Sequence, residues 1–306
     1  MQPENALSGH MFAVNAQRND ALIVDGGRFG QHRAWAHTRA AAMSPGDAPL
    51  VLHQGVLGHE WDHDVDNGWR PPALQTLSET TVDNVQTLRD WGATFDSGTA
   101  THSLVLHRRG NGTGPYVFGA ATVQWAWALD PEHDINDPQR QNKYAIRLSS
   151  DPRGGCVELQ QLTVNVLTGM MGLSPATLQP SLTMPTPSED STPPIGGVSE
   201  HSTVVGKSID IGDGMGMLPN VVVKASGWAT DYGGGVVASV EVSWDGGRRY
   251  HPARLEALAA EARWTFVWGE ARWEHVHGDP PDGEAGSALS LRIADDSGNL
   301  RVINVE

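Results

Sequence analysis

The last third of the chain alternates apolar and polar residues in several short stretches. In the clearest stretch, apolar side chains occupy every second position from Val236 to Trp244, and the DGG sequence that follows predicts a hairpin turn. The same period recurs in residues 221–225, 264–268 and 289–293. Short strands separated by turns over about 100 residues predict a β-sandwich of immunoglobulin type.

The earlier part of the chain mixes other patterns. Helical spacing occurs in two segments, at Val82, Val85 and Leu88 and at Leu159, Leu162, Val166 and Met170. Gly172 is placed to end the second helix, which is amphipathic. Residues 101–125 indicate two short strands around a glycine-rich turn. The first region is therefore expected to contain both helix and strand.

A proline-rich segment separates these two parts. Six prolines fall within residues 174–197, and proline interrupts helices and sheet ladders alike. The segment is interpreted as an extended linker. The resulting division has a first domain of residues 1–178, a linker of residues 179–200 and a second domain of residues 201–306.

Composition and charge narrow the classes of function. The chain of 306 residues carries 21 Lys and Arg against 36 Asp and Glu, and no basic stripe could neutralise a nucleic-acid backbone. Cys156 is the only cysteine, which rules out an intramolecular disulfide and a cysteine-based zinc site. No window approaches the ~20 apolar residues of a membrane span, and no export signal is evident. We therefore expect no membrane association and a soluble, cytoplasmic protein, unless the natural start lies upstream.

One motif raises the question of a zinc peptidase. HEWDH, from His59 to His63, fits the pattern H-E-x-x-H, which works only when a helix places both histidines on one face. The Asn67-Gly68 turn and the prolines that follow leave little room for that helix. We therefore expect no peptidase-type zinc site.

The aspartates of this stretch allow two further interpretations. Asp62, Asp64 and Asp66 alternate as in a calcium loop, but Asn67 and Ala73 stand where an EF-hand requires glycine and glutamate. A calcium site of another kind is one interpretation. The other is a turn whose carboxylates are solvated or cap backbone amides.

Several ordered blocks carry a family resemblance. MFAVNAQRNDALIVD, LGHEWDHDVDNGWRPPALQTLSETT, GTATHSLVLHR, YVFGAATVQWAWALD and QQLTVNVLTGMMGLSPATLQ together resemble the C-terminal half of the N,N-dimethylformamidase large (beta) subunit-like family, over most of residues 9–180. The resemblance implies a partial glutamine-amidotransferase-like α/β fold. It also implies hydrolysis of a small amide C–N bond.

The resemblance also bears on cofactors. In that family a mononuclear iron is held by two tyrosines and a glutamate upstream of the matched blocks, so the isolated chain is expected to lack the N-terminal metal-binding half. None of the tyrosines, which are Tyr116, Tyr144, Tyr232 and Tyr250, aligns with an iron-binding block. No metal ligand is assigned, and no cofactor is expected in the isolated chain.

The family block that reads Gly, aromatic, Glu, Trp, Asp aligns with Gly58 to Asp62 and makes Glu60 the candidate catalytic residue. Trp61 beside Glu60 would desolvate its carboxyl group and raise its pKa, as a general acid or base near neutrality requires. The alternative is that Glu60 ties down the Asn67-Gly68 turn. His59, Asp62 and His102 are accessory candidates, although His102 is also interpreted as a satisfied strand histidine.

The second region resembles the immunoglobulin-like dimerisation domain of the sulfite-oxidase family. The matching sequences are ASGWATDYGGGVVASVEVSWDGGRRYHPA and IADDSGNL, and that domain carries no molybdenum cofactor. Two functions remain open. The chain is either part of a dimethylformamidase-like hydrolase, with an amide substrate and a polypeptide that supplies the missing half, or a non-catalytic interaction module that assembles with itself or with a partner.

Overall fold

The computed structural model describes residues 3–15, 19–89, 92–130, 155–205, 209–210, 217–218, 221–268 and 289–305. The strands are β1 (Met11–Asn15), β2 (Asp20–Val24), β3 (Leu50–Leu57), β4 (Glu60–His63), β5 (Gln75–Arg89), β6 (Thr94–Arg108), β7 (Tyr116–Gly119), β8 (Ile195–Val205), β9 (Ile209–Asp210), β10 (Met217–Leu218), β11 (Val221–Thr230), β12 (Val237–Ser243), β13 (His251–Pro252), β14 (Arg254–Leu255), β15 (Glu261–Trp268), β16 (Ser290–Asp295) and β17 (Leu300–Asn304).

The helices are short. They are α1 (Asn5–Ser8), α2 (Gly26–Phe29), α3 (Arg109–Gly112) and α4 (Val157–Val164), with 3-10 turns at Arg33–Trp35, Ala40–Ala42 and Trp125–Ala128. A π-helical turn, Asn165–Met170, continues α4. None of the helices in the described ranges combines the length and apolarity that a membrane span requires.

The first region is built on an antiparallel sheet of order β4-β1-β5-β6-β7, beside a separate β2-β3 pair. The expected α/β, glutamine-amidotransferase-like fold is wrong, because the described chain is mostly β and divides into several sheets. The long partners β5 and β6 have 15 residues each, and β5 takes the place of the first of the two expected helices.

The helix expected around Val82, Val85 and Leu88 is part of β5, and its misleading spacing has a physical cause. The pairing of β5 with β6 shifts register between Val82 and Val85, and Asn84 within this bulge has a φ of 55°. A bulge adds a residue to one strand, so two inward side chains become three positions apart. Val82 and Val85 are therefore both buried, although they are three positions apart.

Two other local expectations are confirmed. Leu159, Leu162 and Val166 are buried along α4 and its π-helical turn, and Gly172 follows with a φ of 74°. The strands expected in residues 101–125 are β6 and β7, which pair antiparallel around α3.

The second region consists mainly of two four-stranded sheets, of orders β14-β15-β11-β8 and β13-β12-β16-β17. Along β15 the buried positions alternate with exposed ones, with Trp264, Phe266 and Trp268 facing inward. This all-β arrangement fits the immunoglobulin-like expectation. The domain boundaries at 178 and 200 stay a prediction.

Strand β12 departs from simple alternation because both of its faces are covered. Its polar residues Ser239, Glu241 and Ser243 are as buried as the valines between them. Arg70, in the loop before β5, donates to Glu241 Oε1 at 3.1 Å, and the backbone N–H of Ala73 donates to Glu241 Oε2 at 2.9 Å. The first region thus covers the polar face of β12, and its charged and backbone donors form hydrogen bonds with the Glu241 carboxylate.

Candidate functional site

The HEWDH segment forms strand β4 and not a helix. Strand β4 pairs antiparallel with β1, with Asp62 opposite Phe12 and Glu60 opposite Asn15. Residues four apart on a strand are separated by about 13 Å, whereas a zinc peptidase needs its two histidines one helical turn apart. His59 and His63 are therefore too far apart to bind one zinc ion in that way. The peptidase interpretation therefore fails on geometry.

Two of the three alternating aspartates are held by basic side chains. Arg70 donates to both carboxylate oxygens of Asp64, from Nε at 2.8 and 3.1 Å and from Nη2 at 2.8 Å. His251 Nδ1 donates to Asp66 Oδ2 at 2.8 Å. Asp64 and Asp66 therefore hold the loop and the second region in place and do not form a calcium loop with Asp62.

Glu60 lies at the edge of the sheet. Its side chain is 44% exposed, and its Oε1 lies 4.0 Å from His59 Nε2. Trp61 is 1% exposed and points into the core, because successive residues of a strand face opposite sides. Trp61 therefore does not desolvate Glu60. The Asn67-Gly68 turn is tied instead by Asn5, whose Nδ2 donates to Asn67 Oδ1 at 2.8 Å.

The raised pKa that the sequence predicted for Glu60 is found instead at Asp62. This aspartate lies on the same face of β4 as Glu60, two residues away, and it is partly buried. Burial, followed by the charges of Glu4 and Glu60, raises the pKa of Asp62 to about 6. Glu4 is fixed nearby because its Oε1 accepts from the backbone N–H of Phe12, the β1 partner of Asp62. These contacts shift the pKa of Asp62 toward neutral pH.

His102 lies behind this face, in the core. It is completely buried, contacts Trp61 edge-on with ring centroids 5.9 Å apart, and donates from Nε2 to the carbonyl of Ala120 at 3.0 Å. Burial lowers its pKa to about 3. His102 is therefore a neutral residue that supports Trp61 and has no direct contact with solvent.

Sequence reasoning missed Gln124, which is 2% exposed and close to the same cluster. Its carboxamide Oε1 and Nε2, the indole Nε1 of Trp61 and the Nδ1 of His102 are all buried without a hydrogen-bond partner among the described residues. A side-chain carbon at Gly58 would lie 2.5 Å from Gln124 Cγ, so Gly58 allows this glutamine to pack against the start of β4. In the sequence, the glycine before the Glu-Trp-Asp triplet is the feature that signals this close approach.

The iron implied by the family resemblance does not fit the described tyrosines. Tyr116 donates its hydroxyl to the carbonyl of Ser297 at 2.5 Å, Tyr232 is 73% exposed, and Tyr250 lies under the guanidinium of Arg292. These contacts place the three hydroxyls in separate environments. Tyr144 lies outside the described residues. No iron ligand is assigned.

Comparison with known proteins found a family similarity in the first part of the chain. Residues 1–141 match the family described as N,N-dimethylformamidase beta subunit-like, C-terminal. This match contains the whole of β4 and extends through Gln124. It indicates a dimethylformamidase-like C-terminal region in the first part of the chain.

Two individual proteins show more limited similarity. The 1,4-alpha-glucan branching enzyme GlgB of Salinibacter ruber is 34% identical over 113 residues, which are 37% of this chain and 15% of that enzyme. The sulfane dehydrogenase SoxCD of Paracoccus pantotrophus aligns at 22% identity with a TM-score of 0.19, over 33% of this chain and 23% of that one. The chain thus spans a small part of either protein, and the structural likeness is too weak to support an argument about fold.

Proposed function

We propose that this chain contributes an acid–base site to a dimethylformamidase-like hydrolase that cleaves the C–N bond of a small amide. The observation that carries the proposal is the position of Asp62, partly buried on the Glu60 face of β4 and close to Glu4, where burial and these carboxylates raise its pKa to about 6. A general acid is most effective when its pKa lies near the working pH. The family match over residues 1–141 supports the same reaction class.

Amide hydrolysis needs a proton on the leaving nitrogen. Water would add to the carbonyl carbon, protonated Asp62 would donate its proton to the leaving nitrogen, and the resulting carboxylate would take up a proton from the added water as the C–N bond breaks, which restores protonated Asp62. Glu60, on the same face, favours the protonated form of Asp62 through its negative charge. The products are a carboxylic acid and an amine.

Residues behind the strand would hold this face in position. Trp61 and His102 pack edge-on in the core directly beneath the Glu60 and Asp62 face. We assign them positioning roles, because their own titratable and polar atoms are buried. Glu60, the residue predicted to be catalytic, becomes in this proposal an electrostatic neighbour of the proton donor.

The test is release of amine from formamide and N,N-dimethylformamide between pH 4 and 9. The chain would be assayed alone and, where the DNA upstream encodes a polypeptide, together with that upstream product. Asp62→Asn should lower turnover by about 10²–10⁴-fold, and the pH dependence near 6 should disappear. Asp96→Asn, an exposed carboxylate change on β6, is the matched control and should leave turnover unchanged. Full activity of Asp62→Asn would contradict the proposal.

A second proposal, of a non-catalytic assembly module, is favoured by a different observation. Val267 on β15 and Val302 on β17 are 58% and 54% exposed, and exposed branched side chains on sheet surfaces are available for contacts with another chain. Sedimentation with the upstream product or with a second copy would detect such assembly. Assembly without turnover, in every combination assayed, would favour this function over the hydrolase.

A further inference from the structure

Three aspartates from distant parts of the chain meet where the proline-rich segment runs along the second region. Asp190 belongs to that segment, Asp231 directly follows β11, and Asp295 ends β16. One carboxylate oxygen from each lies within 4.8 Å of the other two. Oxygens on opposite sides of one calcium ion, each about 2.3–2.6 Å from it, are about 4.6–5.2 Å apart. The three oxygens are therefore close enough to bind the same ion.

Among the described residues, no basic side chain neutralises the cluster. Asp231 and Asp295 are 5% and 0% exposed, and within the described ranges no arginine, lysine or histidine forms an ion pair with any of the three aspartates. Arg33 approaches the same loops, but its guanidinium donates to Ser297 Oγ at 2.9 Å and to the carbonyl of Thr186. Adjacent buried carboxylates without a cation repel each other strongly.

Asp190 gives an independent indication that a ligand is needed. Its Oδ1 accepts from the backbone N–H of Thr192 at 2.8 Å, but its Oδ2 is completely buried and has no hydrogen-bond partner among the described residues. Native proteins rarely leave a buried carboxylate oxygen without a partner. A cation bound between the carboxylates would supply the missing interaction.

Backbone donors fix the other two carboxylates. Asp231 accepts from the N–H groups of Gly233 and Gly235 at 3.2 and 2.8 Å. Asp295 Oδ1 accepts from the N–H groups of Ser297 and Asn299, both at 2.9 Å. A side-chain carbon at Gly233 would lie 1.7 Å from Asp190 Oδ1, so only glycine permits this approach of the proline-rich segment.

We propose that Asp190, Asp231 and Asp295 form a calcium site that fixes the proline-rich segment to the second region. The donors are all carboxylate oxygens, which favour a hard cation over zinc or copper. Calcium tolerates irregular coordination by six to eight oxygens, whereas magnesium requires a near-ideal octahedron, and three carboxylates from three separate segments match calcium better. This site is separate from β4 and does not depend on the proposed hydrolase activity.

The binding test is calorimetric titration of the full chain, freed of metal with a chelator, with calcium, magnesium and zinc in parallel. Calcium should bind at one equivalent, and both Asp190→Asn and Asp295→Asn should weaken it at least tenfold. Glu256→Gln removes an exposed negative charge from the same region and should leave binding unchanged. Absence of calcium binding to the wild-type chain, equal binding by all variants, or binding of magnesium or zinc in preference to calcium would each overturn the assignment.

The positional claim is tested by cleavage after Glu189, next to Asp190 in the exposed part of the segment. A glutamate-specific protease should cut there at least tenfold more slowly with calcium than with a chelator. Asp190→Asn removes the ligand while keeping the residue size, so its cleavage should be fast in both conditions. Calcium-independent cleavage of the wild-type chain would show that no ion fixes this segment.

Discussion

Carboxylates in and beside the second region are stabilised in two opposite ways. Glu241 on β12 is 1% exposed and is contacted by Arg70 at 3.1 Å and by Arg292 at 2.5 Å. One carboxylate oxygen from each of Asp190, Asp231 and Asp295 lies within 4.8 Å of the other two, and among the described residues no arginine pairs with them. The comparison shows that burial alone does not define a metal site. The Glu241 group has its counter-ions within the chain, whereas the aspartate group needs one from solution.

The largest expected effect comes from breaking the Glu241 group. Arg70→Met would leave Asp64 and Glu241 buried without their shared guanidinium, and removal of one partner of a buried ion pair costs about 3–5 kcal/mol. Urea unfolding should show this loss equally with calcium and with a chelator. Arg263→Met, an exposed arginine on β15, is the control and should change the free energy of unfolding by less than about 0.5 kcal/mol. A loss that calcium reverses would contradict the distinction between the two groups.

A smaller effect is expected at the second ionic contact between the two regions. His251→Asn removes the hydrogen bond to Asp66, whose side chain is 11% exposed, and a hydrogen bond to a charged group contributes about 1.5–3 kcal/mol. Urea unfolding measures the loss, and His201→Asn on the exposed side of β8 serves as the control. An unchanged free energy of unfolding would show that the two regions associate without this contact.

Buried histidines show a third way of accommodating a titratable group, because they remain neutral. Burial lowers the pKa of His10 to about 4 and that of His102 to about 3, both below the usual 6.5. As pH falls below 6.5 the unfolded chain takes up protons that the folded chain does not, so stability decreases from pH 6.5 to about 4. Each histidine contributes a slope of about 1.4 kcal/mol per pH unit.

His10→Asn should remove the contribution of His10 to this pH dependence of stability. The difference in unfolding free energy between wild type and variant, measured in urea at pH 7, 6 and 5, isolates this contribution from those of the carboxylates. The variant should be the less stable protein at pH 7, because His10 Nε2 donates to the carbonyl of Ser103 at 2.8 Å, and the gap should narrow toward pH 5. A constant gap would show that folding does not lower the pKa of His10.

The sequence predicted local structure best where one face of a strand is exposed. Strand β15 alternates along its whole length, and its inward side chains were identified from period alone. The pattern was misleading in β5, where a bulge gave two buried valines helical spacing. The pattern did not predict the burial of the polar residues of β12. The second face of this strand is covered by residues more than 160 positions earlier in the chain, as the hydrogen bond between Ala73 and Glu241 shows. Coverage of this kind depends on the tertiary fold and is not visible in a local pattern.

The candidate sites also depend on the tertiary fold and not on local sequence alone. The Glu60 block was found from resemblance, but Glu60 and Asp62 share one face of β4, and which of them is desolvated depends on tertiary contacts: Glu60 is 44% exposed, whereas Asp62 is partly buried and its pKa is raised by that burial and by Glu4 and Glu60. The aspartate cluster was missed altogether because its members come from three separate segments. The local signals were weak, since DYGGG and ADDSGN each look like an ordinary turn around an aspartate.

The central comparison is tested most directly by the unfolding of the wild-type chain and Asp190→Asn with calcium and with a chelator. Calcium at a hundred times its dissociation constant should raise the wild-type free energy of unfolding by about 2.7 kcal/mol, because only the folded chain assembles the three carboxylates. Asp190→Asn should gain much less from calcium, and in the chelator it should be at least as stable as the wild type, because it has lost a repelling buried charge. An equal response of both proteins, or no response of the wild type, would contradict the claim that the aspartate group requires a cation from solution.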